Sequence, residues 1–149
     1  MSTIAVIDFE TNGDPADRGG RPTEIAVLIL RDGKLAGRYQ SLMDSGVWIS
    51  PFVEELTGIT NEMAGAALPA GEAMSKAFDL VGSLPLAAHN AAFDSKFWAE
   101  EGRRLGRLGP NEMPPFVSTM LLARRLYPEA PDYTLGTLAK ALRIPCSGR

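Results

Sequence analysis

Asp32-Gly33 separates two strand-like runs, Thr23 to Arg31 and Leu35 to Met43, and leaves room for little but a tight hairpin between them. Thr3 to Phe9 is a third run of the same kind. The stretch TNGDPADRGGRP, Thr11 to Pro22, reads as the loop that joins it to the hairpin. The first third of the chain is therefore expected to be an antiparallel three-strand meander. The rest of the chain must pack on that sheet.

Beyond Met43 the apolar period changes. Pro51 to Leu56 reads as a short helix with proline near its start. Pro69 to Val81 reads as a longer one, with Met74, Ala77, Phe78 and Val81 on one face. Leu84 to Ala88 is expected as a fourth strand. Asn90 is a suitable N-cap for a helix running to Arg104, in which Phe93 and Phe97 lie one turn apart. Pro115 to Val117 is a short fifth strand, and helices over Thr119 to Leu126 and Leu135 to Leu142 close the chain. The sum is an α/β domain with a mixed five-stranded sheet, the meander plus parallel strands, flanked by helices. A length of 149 residues with no linker-like stretch suits one domain, residues 1–149.

Charge narrows the function classes. The formal net charge is −3, so no global positive field draws in nucleic acid, although a cation-loaded site could carry its own. Cys146 is the single cysteine and forbids an intrachain disulfide, which fits a reducing cytoplasm. No signal-peptide pattern opens the chain. The longest strongly apolar run, Ile25 to Leu30, falls far short of a membrane span.

Asp8 and Glu10 sit two residues apart at the end of the first strand, so both project to one side. Two such carboxylates repel one another and cost free energy to desolvate. A solvated strand end would tolerate them. A hard divalent cation such as Mg²⁺ or Mn²⁺ would exploit them. Asp94 lies in the first turns of the Asn90 helix, where the dipole favours an acid. It is either ordinary first-turn placement or a third member of the same group.

In order and spacing, VIDFET, ELTGIT, AHNAAFD and TMLLARRLYP…YTLGTLAKAL resemble the DEDD (DnaQ-like) exonucleases. These are the proofreading subunits of DNA polymerase III and RNase T-like enzymes, built on a ribonuclease H-like fold. The resemblance spans essentially the whole chain. It implies a 3′→5′ exonuclease domain in which Asp8, Glu10 and Asp94 hold two Mg²⁺ or Mn²⁺ ions for in-line hydrolysis of a phosphodiester. It implies that Thr11, Ile59, Thr60, Asn90 and Phe93 border the terminal nucleotide of single-stranded DNA or RNA, with a DNA polymerase as a possible partner. Gly58 ending one helix and Thr60 capping the next explain TGIT equally well.

His89 is the only histidine, yet the resemblance puts it in the second motif, so it is expected as a structural or substrate-edge residue and not the base. The third motif, which brings the base and the last metal-binding aspartate in the family, has no counterpart before IPCSGR. The domain is therefore expected to be C-terminally incomplete and weak in activity. Two other classes stay open: a non-catalytic nucleic-acid- or polymerase-binding module of the same fold, and an aspartate-nucleophile phosphatase using Asp8. The arginines at 103, 104, 107, 124 and 125 are read as solvated faces or phosphate contacts, and Trp48 and Trp98 as packing residues.

Overall fold

The computed structural model describes residues 2–146. The meander forms as β1 (Thr3–Thr11), β2 (Pro22–Arg31) and β3 (Lys34–Asp44), with Asp32 and Gly33 both at positive φ in the hairpin turn. Two short helices come next, α1 (Pro51–Thr57) and α2 (Asn61–Gly65). A two-residue strand β4 (Leu68–Pro69) leads into α3 (Ala70–Val81). Then come β5 (Leu86–Ala88), α4 (Ala91–Arg104), β6 (Phe116–Ser118), α5 (Thr119–Leu126) and α6 (Leu135–Ala141). The sheet order is β4-β3-β2-β1-β5-β6, antiparallel across the meander and parallel elsewhere.

The sheet has six strands where five were expected. The addition, β4, is a bridge of Leu68 and Pro69 to Met43 and Asp44 at the sheet edge, where a proline is tolerated. Two residues carry no period. For the same reason α2, five residues long, shows no apolar period and is signalled in the sequence only by its Thr60 cap.

Alternation along β1 divides the domain. Ala5, Ile7 and Phe9 are buried with Ile25, Val27 and Ile29 of β2 and with Met74, Ala77, Phe78 and Val81 of α3. Trp98 joins them from α4 and stacks on Phe78, the ring centroids 4.0 Å apart. Trp48, read as a packing residue, is instead 69% exposed in the loop before α1. A smaller cluster of Ile49, Val53, Ile59 and Ala64 holds α1 and α2.

One ion pair positions the loop ahead of β2. The Arg21 guanidinium bonds both oxygens of Glu101 on α4, at 2.6 and 3.0 Å, and the Glu101 side chain is almost wholly buried. The geometry is a two-point fork, which fixes orientation as well as charge. It clamps the segment after β1 against the helix that carries Asp94.

Candidate active site

The even residues of β1 take the sheet face opposite the main core. Asp8 and Glu10 therefore point together, at the C-terminal end of a strand flanked on both sides. Directly across the antiparallel ladder Glu10 faces Glu24 of β2, so a third carboxylate shares that face. The sequence pattern did not single out Glu24. Its place is set by the β1–β2 register alone, which a loop as long as Asn12 to Arg21 does not fix. A register irregularity between Glu10 and Thr11 ends the regular pairing beside the acids.

Asp94 arrives from the other side of β1. β5 pairs with Ala5 and Val6 only, then turns into α4, which leaves the far end of that β1 edge unpaired. The Ala5 N–H points to this edge and donates to Pro85 O; the Phe9 N–H, four residues on, points the same way. Asp94 Oδ1 accepts it at 3.0 Å in a buried contact. The carboxylate thus takes the place of the missing strand, and a buried amide is satisfied.

The electrostatics are unfavourable for a metal-free protein. Burial first, then the charges of Asp8 and Glu10, raise the Asp94 pKa from 3.8 to about 7 against the opposing Phe9 amide. Burial also raises Asp8, with Glu24 adding to the shift and His89 opposing it. Asp8, Glu10 and Asp94 are thus close enough to act on one another. Their donor atoms are all hard oxygens, the set that suits Mg²⁺ or Mn²⁺, and a cation would relieve their mutual repulsion. Among the described residues no three acids, histidines or cysteines form a ready cation cage. The fit therefore rests on donor chemistry and crowding, with the cage not preformed.

Both nitrogens of His89 are engaged. Nε2 lies 2.6 Å from Tyr133 O, which can only accept, so Nε2 carries a proton. Nδ1 lies 2.9 Å from Thr119 Oγ1. The imidazole fastens the segment before α6 to the start of α5.

The remaining expected site residues fall around this centre. Thr11 is buried, and its Oγ1 accepts from the Gly13 N–H. Gly13 has φ +95°, and an added Cβ would lie 2.9 Å from Val53 of α1, so only glycine lets the loop pass there. Ile59 is fully buried in the α1–α2 cluster. Thr60 is exposed and caps α2 by accepting from the Met63 N–H, while Gly58 ends α1 at φ +75°. Both halves of the capping explanation of TGIT thus hold. Asn90 occupies the N-cap position of α4, but its side chain makes no capping bond and stays exposed. Phe93 is 39% exposed, its ring tilted on Phe97 at 4.9 Å.

The six-stranded mixed sheet flanked by helices is the ribonuclease H-like fold that exonucleases share. The chain belongs to the exonuclease family, whose RNase T-type model matches residues 5–149. It is 34% identical over 139 residues to the PolC-type DNA polymerase III of Clostridium perfringens, which covers 93% of this chain and 9% of that protein. It is 29% identical over 141 residues to the 3′-5′ exonuclease DinG of Bacillus subtilis, 95% of this chain and 15% of that one. The chain thus spans a small part of the curated relatives it matches. Among solved structures, exonuclease X in complex with 5′ overhanging duplex DNA superposes with a TM-score of 0.74 at 27% identity, covering 98% of this chain and 76% of that one. The ExoI/SSB-Ct complex gives 0.82 at 20% identity, covering 99% and 37%, and speaks for the fold alone.

Proposed function

We propose that this chain is a divalent-metal-dependent 3′→5′ exonuclease domain acting on single-stranded DNA or RNA in the cytoplasm. The observation that carries the reading is the approach of Asp94 to Asp8 and Glu10, two elements bringing mutually repelling carboxylates to one strand end. Asp8 and Glu10 would hold the cation, with Asp94 assisting from α4. A divalent ion there would polarise the phosphodiester and acidify the attacking water. Asn90, Phe93, Thr11 and the segment of Ile59 and Thr60 would border the terminal nucleotide. The similarity to PolC-type polymerases supports a polymerase as partner.

Among the described residues the one histidine, His89, is tied to Tyr133 O and Thr119 Oγ1, so it fastens α5 to the segment before α6 and is not a base aimed at the site. The chain by itself is therefore expected to turn over slowly, because a missing general base alone costs about 10²–10⁴-fold. The same observation, with the absence of a ready cage among the described residues, favours a second reading: a binding module that keeps the fold without the chemistry. Release of mononucleotides from a labelled single strand with Mn²⁺, compared between wild type and Asp8→Ala, separates the two. Residual activity lost in Asp8→Ala supports the enzyme. Binding without any Asp8-dependent hydrolysis supports the module.

A further inference from the structure

Helix α4 carries Phe93 and Lys96 at three-residue spacing from its N-cap Asn90, so the three form one stripe that runs past Asp94. All three line one cavity of about 330 Å³ whose opposite wall is the loop Gly13 to Asp17. The other cations near the end of α4 are occupied: Arg103 pairs with Glu100, and Arg104 with Glu101. Lys96 has no hydrogen bond or ion pair among the described residues. It also lies where this cavity meets a second one lined by Glu100, Arg103 and Met113.

We propose that Lys96 binds the backbone phosphate of the nucleotide upstream of the base seated on Phe93, and so sets the direction in which the single strand leaves the site. The inference rests on the nuclease reading above and adds a contact to it. An exposed ring beside an unpaired ammonium is the pairing that single-strand channels use, a stacking face with a charge for the linkage. Asp14 and Asp17 on the opposite wall make the cavity a poor trap for free anions. A strand can satisfy it only by lying with its phosphate on the Lys96 side. Lysine acts here as a point charge, so a single linkage is contacted.

The test is a cycle on the full chain, using a 5′-fluorescein oligothymidylate with Ca²⁺ and reading anisotropy. Each of the four linkages nearest the 3′ end is replaced in turn by a neutral methylphosphonate. Lys96→Ala is expected to weaken binding about 3–10-fold at low salt and to lower the salt slope by about one ion, and Lys96→Arg to restore most of the loss. On one neutral linkage, and only there, Lys96→Ala should cost nothing further. An undiminished loss on every neutral linkage, or no loss at all, overturns the assignment. If Phe93→Ala weakens binding while Lys96→Ala does not, the Lys96 contact falls and the nuclease reading stands. If the wild type binds no oligonucleotide, both fall.

Discussion

Asp94 serves two purposes that pull against each other. Its Oδ1 closes the open edge of β1 by accepting the Phe9 amide, which requires only an oxygen acceptor. Its negative charge is a burden, since the side chain is buried and its pKa is raised to about 7. Between the unfolded value near 4 and the folded value near 7 the native state holds the extra proton. The metal-free protein should therefore lose stability as pH climbs through that window, by about 4 kcal/mol from this group. Asp94→Asn keeps the acceptor and removes the charge, so at pH 8 in EDTA it should be more stable than wild type. At pH 5 the two should be close. Asp94→Ala also orphans the amide and should cost about 1–3 kcal/mol relative to Asp94→Asn. Urea midpoints of all three proteins at both pH values decide this, and an Asp94→Asn protein with the wild-type pH slope contradicts it.

At the scale of elements, the legible parts were those with a period long enough to read. The meander, α3 and α4 announced themselves through alternation, apolar faces and the Asp32-Gly33 turn. β4 did not, and α2 showed only its Thr60 cap, because neither is long enough to establish a period. Asp8, Glu10 and Asp94 were visible as acids at element ends. Glu24 was not, because its place depends on strand register. Long-range ties were equally hidden: nothing in the sequence pairs Arg21 with Glu101 or His89 with Tyr133. Those ties now make predictions. Arg21→Ala leaves the buried Glu101 carboxylate with only the longer Arg104 contact and should destabilise the domain by up to about 3–5 kcal/mol. Replacing both partners, Arg21→Met with Glu101→Leu, should cost less than Arg21→Ala alone, which thermal melts of the variants will show. His89→Ala releases the Tyr133 carbonyl and Thr119 together. Amide exchange in α6 should then quicken while β1 and β2 keep their protection, since only the far end of the chain is unfastened. Equal loss of protection in the sheet would assign His89 to the core instead.

Over the whole molecule, a net charge of −3 is small, yet acids concentrate where the sheet meets the start of α4. Local charge, not net charge, should govern how the protein responds to cations. A ligand that binds only the folded state stabilises it by RT ln(1 + [L]/Kd), so Mg²⁺ or Mn²⁺ should raise the melting temperature. The size of that rise must depend on pH, because a cation and a proton compete for Asp94. At pH 5 the carboxyl is largely protonated and offers the ion little. At pH 8 it is ionised, and the ion relieves the repulsion among three carboxylates. The shift in melting temperature with about 10 mM Mn²⁺ should therefore be clearly larger at pH 8 than at pH 5. Asp8→Ala should remove most of it, because Asp8 acts on Asp94 more strongly than Glu10 does and is itself pushed up by Glu24. Asp94→Asn should leave a smaller shift with little pH dependence, because the carboxyl that titrates near neutrality is gone. A shift that is equal at the two pH values, or that survives Asp8→Ala intact, would mean that the ion binds elsewhere and that the grouped carboxylates at the end of β1 are not its anchor.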